Sequence, residues 1–241
     1  MCWGYIVPRE TTSLDRLTNV LEPEIFLIVA CEGFAEKTYL RQFAKRYLEF
    51  QSVRHKIKVL DRPEGEENNS APNHVLKQLK DFKAEHSATD SDLCWMVVDK
   101  DRWQKLPEII SICRELGFNH AVSTPSFELW CLTHCIDLRE LKDDTIERVQ
   151  RNKKETKKRF LEIKLSEEMR RLGFGAFKKE QTYEFHNDMF ESSKIALAMD
   201  QCKFFEKRER ELQQDYIYPK ILGSQMYLLL QDFRAYLEEN R

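Results

Sequence analysis

Leu93-Cys-Trp-Met-Val-Val-Asp99-Lys-Asp101 sets two carboxylates one residue apart at the end of an apolar run. On alternate positions of an extended segment they point the same way, and paired oxygen donors of this kind suit a hard cation such as Mg²⁺. Glu32 closes a second apolar run, Glu24-Ile-Phe-Leu-Ile-Val-Ala-Cys31, and Gly33 follows it. Glu128 follows a third, in Thr124-Pro-Ser-Phe-Glu128. Carboxylates gathered in one crevice repel each other unless a cation or raised pKa values relieve them. The alternative is structural: Asp-x-Asp also occurs in solvated turns, and Glu32 or Glu128 singly could cap a helix. That account struggles to claim all four.

The elements that must position these side chains read as an α/β fold. Glu24 to Cys31 and Leu93 to Val98 are uncharged after their first residue and rich in β-branched residues, as strands buried on both faces are. His55 to Asp61 alternates like a strand nearer a sheet edge, and Phe118 to Thr124 reads as a fourth strand. Between them, Glu36 to Leu48 carries Tyr39, Leu40, Phe43, Tyr47 and Leu48 at helical spacing. Pro72 to His86 and Leu106 to Leu116 read likewise as helices, the latter with Gly117 as its terminator, and Arg62 to Pro72 is a turn-rich loop. This alternation predicts a parallel, Rossmann-like sheet flanked by helices with right-handed crossovers. The candidate carboxylates then fall at its carboxyl edge, where open α/β sheets bind ligands.

Composition bounds the possibilities. At 241 residues the chain can bury one substantial core, and 41% hydrophobic residues with only 7 Gly and 7 Pro exclude collagenous and disordered classes. No apolar run approaches the ~18 residues of a membrane span, and the first residues lack a signal peptide's basic start, so a cytoplasmic location is expected. Seven scattered cysteines agree with a reducing compartment. Cys131, His134 and Cys135 could share a helix face, but a structural zinc site draws on two such clusters and no Cys-x-x-Cys partner exists.

Two stretches carry a family resemblance. Cys31-Glu32-Gly33-x-x-Glu36 with Val98-Asp99-Lys100-Asp101 looks like the TOPRIM domain of primases, topoisomerases and the overcoming-lysogenization-defect (OLD) nucleases. Trp95-Met-Val-Val-Asp99-Lys-Asp101 followed by Ala121-Val-Ser-Thr-Pro-Ser-Phe-Glu-Leu-Trp-Cys-Leu-Thr-His134 resembles the RloB-like family, which has a Ser-Asn-Pro-x-Phe-Glu-Leu-Trp block behind its Asp-x-Asp strand. Gly223 to Phe233 is similar to that family's closing helix. The chain departs in having Thr124 where the family has asparagine, and in setting Glu36 a place or two early. The resemblance implies a TOPRIM-like catalytic core over residues 23–137, between an N-terminal arm (1–22) and a helical C-terminal region (138–241). It implies that Asp99 and Asp101, with Glu32, hold one or two Mg²⁺ or Mn²⁺ ions, that Glu32 serves as general acid or base, and that Glu128 is a further ligand or base. Metal ions with a nearby carboxylate provide what phosphodiester cleavage requires.

Beyond Cys135 the pattern becomes helical and charged. Arg151-Asn-Lys-Lys-Glu-Thr-Lys-Lys-Arg159 is strongly basic, and Lys178 and Lys179 follow. Lys153, Lys154, Lys157, Lys158, Arg159, Lys178 and Lys179 are therefore candidates for binding nucleic-acid phosphates, the alternative being a solvated face. Phe174 and Phe177 are candidate base-stacking residues, more often core, and His186 a structural histidine that could assist a leaving group. Ser192 to Arg210 and Ile221 to Glu239 read as long helices. No Gly-Lys-Ser/Thr phosphate loop occurs, so an ATPase partner would be a separate protein. The expectation is a metal-dependent nuclease acting on RNA, including transfer RNA, or DNA in antiphage defence, as a monomer or homo-oligomer. The alternatives are a non-catalytic binding subunit and a nucleotide sensor.

Overall fold

The computed structural model describes residues 25–48, 55–62, 71–86, 92–100, 103–213 and 215–239. The arm at 1–22, Asp101 and most of the loop after Arg62 lie outside the described residues. Four parallel strands, β1 (Ile25–Cys31), β2 (His55–Val59), β3 (Leu93–Asp99) and β4 (Asn119–Thr124), and a short antiparallel β5 (Gly223–Ser224) form one sheet in the order β2-β1-β3-β4-β5. Strand alternation divides the side chains between two cores. Leu27, Val29 and Cys31 of β1 face Tyr39, Leu40 and Phe43 of α1 (Phe34–Leu48) in one cluster. Ile28 and Ala30 face the other cluster, with Leu79 of α2 (Pro72–Glu85) and Ile110 of α3 (Leu106–Glu115). The central strands are buried on both sides, which is why their sequences show almost no polar residues.

From β1 the chain passes through α1 to β2 on one side; from β3 it passes through α3 to β4 on the other. Because α1 and α3 cover opposite faces, the segments leaving β1 and β3 diverge and leave a crevice at the carboxyl ends of these strands. Gly117, at φ 72°, ends α3 in the left-handed conformation expected of a helix-terminating glycine, with Phe118 N–H returning to Cys113 O at 3.0 Å.

The C-terminal half packs on the α1 side through α4 (Glu128–Thr133), α5 (Asp143–Arg151), α6 (Phe160–Arg171), α7 (Ser192–Leu212) and α8 (Met226–Glu239). Two sequence expectations change. The helix read from Ile221 begins at Met226, because Ser224 Oγ pairs with Ser123 Oγ at 2.8 Å and Gln225 exchanges hydrogen bonds with Val122, drawing residues 223–224 into the sheet. The basic stretch read as helical is a tight turn instead. Asn152, at φ 40°, ends α5, Phe160 N–H bonds Lys153 O at 3.0 Å, and Lys154 bridges Arg159.

The loop that carries β5 hangs on one carboxylate. Glu209, 4% exposed on α7, accepts the backbone N–H groups of Lys220, Ile221 and Leu222 at 2.7, 2.7 and 2.8 Å. Glu209→Ala leaves three donors without their charged acceptor and is expected to cost on the order of 3 kcal/mol, roughly 6–12 °C in Tm. Thermal melting checks this; a drop under a few degrees would mean that water serves those N–H groups as well.

Candidate functional site

At the carboxyl ends of β1 and β3, Glu32 joins the two strands. Its backbone N–H still bonds Val97 O at 3.0 Å, and its carboxylate accepts the Asp99 backbone N–H at 3.1 Å through one oxygen and the Trp103 indole N–H at 3.2 Å through the other. Arg62, just past β2, donates to the Glu32 carbonyl. Glu36, in the first turn of α1, is 5% exposed and folds back over Gly33. A Cβ at Gly33 would stand 2.5 Å from Glu36 Oε2, so the glycine makes room for that carboxyl group. Glu128, the first residue of α4, is 3% exposed and forms an ion pair with the Lys179 ammonium. Asp99 ends β3, its backbone in register with Ser123.

The electrostatics follow from this crowding. Burial, and then the charges of Glu36, Glu128 and Glu32, push the Asp99 carboxyl well above the ordinary carboxylate range. Burial likewise pushes Glu36 up to about 7, against its own backbone N–H and with Glu128 and Glu32 adding repulsion. Burial disfavours the Lys179 ammonium, but Glu128 and Asp99 outweigh it and hold its pKa above the usual lysine range. The crevice, about 420 Å³, is lined by these acids and by Lys37, Arg62, Arg159 and Lys179.

Glu32, Asp99 and Glu128, singled out in the sequence, are therefore brought together, and Glu36 joins them. Asp101 lies outside the described residues. Among the described residues no three His, Cys, Asp or Glu side chains are arranged to hold a metal ion. The donor chemistry nevertheless fits a hard divalent cation: every acid here is an oxygen donor, and two are pushed toward protonation by burial and then by their neighbours' charge. Of the basic candidates, Arg159 and Lys179 line the crevice. Lys158 pairs with Glu162 at 3.1 Å and Lys178 approaches Glu180 at 3.8 Å, while Lys153, Lys154 and Lys157 are exposed on the turn.

Several readings resolve as structural. Phe177 is fully buried, and Phe174 stacks on His186 at 4.6 Å; the His186 Nδ1 accepts the Asp188 N–H, so this imidazole caps a turn. His134 is buried between the Tyr39 hydroxyl at 3.0 Å and Trp130 O at 2.8 Å, and burial lowers its pKa to about 4. The sequence reading missed Lys37 and Arg62. For Lys37 the signal was helical phase, since it precedes the buried Leu40 and Ala44 by three and seven positions.

A pH dependence follows. A carboxyl group whose folded pKa is raised contributes stability that is full below its unfolded pKa and lost as pH rises through the folded value. His134, lowered to about 4, works in the opposite sense, but its effect is complete above the unfolded histidine pKa of ~6.5. Between pH 6.5 and 8 the metal-free protein is therefore expected to lose melting temperature as Glu36, pushed up to about 7, gives up its proton. Mg²⁺ should flatten the slope. Melting in EDTA and in Mg²⁺ across that range measures it, and a Tm that rises with pH in EDTA would contradict the crowding.

A family model of RloB-like proteins matches residues 27–233. No curated protein and no solved structure matches the chain. No described helix is long and apolar enough to cross a membrane.

Proposed function

From the chain's membership of the RloB-like family, whose model spans most of its length, we propose that it is a metal-dependent nuclease that hydrolyses phosphodiester bonds of RNA or DNA. The observation that carries this reading is the meeting of Glu32, Glu36, Asp99 and Glu128 at one sheet edge with Lys179 and Arg159 beside them. Acids alone would repel a polyanion; the cations give its phosphates a place to rest.

Asp99 and Asp101, with Glu32, would hold Mg²⁺ or Mn²⁺. The ion would supply charge neutralisation at the phosphoryl oxygens and a more acidic bound water. Hydrolysis adds water across a P–O bond, so one proton leaves the attacking water and one reaches the departing oxygen. Glu36, whose carboxyl titrates near neutrality, is suited to exchange such a proton at working pH. The two N–H groups on Glu32 fix its orientation, and Lys179, paired with Glu128, can turn its ammonium toward a phosphate oxygen. By the family resemblance the setting is antiphage defence in the cytoplasm, with a separate ABC- or OLD-like ATPase in control and transfer RNA among the substrates.

The test is incubation of the purified chain with single-stranded and duplex RNA and DNA in Mg²⁺ or Mn²⁺, with and without EDTA, and sequencing of cellular RNA and DNA ends after induced expression. Cleavage that stops in EDTA is the expected result. The second reading, a non-catalytic nucleic-acid-binding subunit or nucleotide sensor, is favoured by the ion pair of Glu128 with Lys179, which neutralises one acid of the crevice without a metal. Binding without cleavage across the whole panel would establish it in place of the nuclease.

A further inference from the structure

One charge in the crevice has no task in that chemistry. Lys37 follows Glu36 on α1, is 4% exposed and lines the crevice with Arg62. Among the described residues no hydrogen bond or ion pair engages its ammonium. Four ionisable groups act on it. The Cys31 thiol is kept neutral by burial, Asp61 is held by Arg41 at 2.6 Å, and Arg62 and Arg41 are cations that repel it. Nor does Lys37 serve as the counter-ion of its neighbour: the largest charge effects on Glu36 come from Glu128, Glu32 and Lys179. Drawing most of a lysine side chain out of water with its ammonium left to the crevice and no partner is costly, and folds retain such a group where something returns the interaction.

The surroundings specify what that is. Arg62 places a second cation on the same wall. The wall is the N-terminal end of a 15-residue helix, which favours negative charge. We propose that Lys37, with Arg62, forms an anion subsite for a phosphate group on the β2 side of the carboxylates, across the crevice from Lys179. Resting on the nuclease reading, this phosphate is the backbone phosphate flanking the bond to be cut. The strand then runs over the acids with a cation on either side, and the enzyme needs a polymer with a phosphate next to the scissile one. A free phosphate or nucleotide shares the same chemistry, and the two sources are separable by experiment.

The full chain is to be melted with inorganic phosphate, and its affinity for a short single-stranded oligonucleotide measured in EDTA, for wild type, Lys37→Met and Lys37→Arg. Methionine keeps the apolar stem and removes the charge. The expected result is that phosphate raises the wild-type Tm saturably, that Lys37→Met melts at or above wild type yet ignores phosphate, and that Lys37→Arg responds. Oligonucleotide binding should weaken at least ~10-fold in Lys37→Met, the loss of about one charge-assisted phosphate contact. Loss of the phosphate response with unchanged oligonucleotide affinity supports the subsite and assigns it to a free phosphate. A Lys37→Met protein that melts lower and still responds like wild type overturns the proposal, as does a wild type that responds to neither probe. None of these readouts needs cleavage. A wild type that binds through Lys37 but cuts nothing removes the nuclease reading and keeps the subsite; Lys37→Met that cuts and binds as wild type removes the subsite and keeps the nuclease.

Discussion

Asp99→Ala is expected to lower phosphodiester cleavage by at least ~10²-fold while the metal-free protein melts no lower than wild type. The two halves of that result have separate causes. Burial and the charges of Glu36, Glu128 and Glu32 hold the Asp99 carboxyl well above its ordinary protonation range, so its removal relieves burial and repulsion among the crevice acids. The contact that joins this position to Glu32 is made by the Asp99 backbone N–H, which alanine keeps, and the pairing of β3 with β4 does not use the side chain. Activity, by contrast, loses an oxygen ligand on which the proposed metal depends. Cleavage rates beside melting curves in EDTA decide it. A mutant that is inactive only because its Tm has fallen by several degrees would make Asp99 a structural residue. Asp101→Ala should behave alike on the ground of its spacing from Asp99, although its side chain lies outside the described residues.

What could be read in the sequence, and what could not, divides by physical cause. β1 and β3 were legible because strands buried on both faces exclude polar residues, and those runs place Glu32 and Asp99 at the crevice without further help. Glu128 was legible because it follows β4 at short range. The partnership of Glu128 with Lys179 was not, since 50 residues intervene and only the packing of the C-terminal half brings them together. β5 leaves no trace in Gly223-Ser224, because two residues have no periodicity; Ser123 and Gln225 determine that pairing. The basic stretch at 151–159 misled for a similar reason. Its charges suit a helix, but Asn152 in the left-handed conformation, with its Oδ1 accepting the Leu161 N–H at 3.0 Å, turns the chain and separates Arg159 at the crevice from the exposed lysines. Lys37 was legible only through its helical phase with the buried Leu40 and Ala44, which a charged side chain masks, and Arg62 was missed because nothing local marks a loop arginine that turns back to the sheet edge.

The division of labour between the two glutamates of the first motif yields the second large effect. Glu36→Gln is expected to lower cleavage by ~10²–10⁴-fold, the range of general acid–base work, and to raise the melting temperature of the metal-free protein above pH 7. Glutamine has nothing to ionise there, so the mutant should also lose the fall in stability that wild type shows between pH 6.5 and 8. Glu32→Gln is expected to be equally inactive for a different reason. Both of its oxygens accept N–H groups, from the Asp99 backbone and the Trp103 indole, and an amide can accept only through its single oxygen. One N–H must then face another, so Glu32→Gln should melt lower than wild type and leave the acid crevice less well ordered. The pair of melting shifts, upward for Glu36→Gln and downward for Glu32→Gln, separates proton exchange from orientation where activity alone cannot. If Glu36→Gln cuts within a few-fold of wild type, proton exchange passes to Glu32, as the family resemblance implies. The raised pKa of Glu36 would then be only the consequence of burying its carboxyl beside other acids.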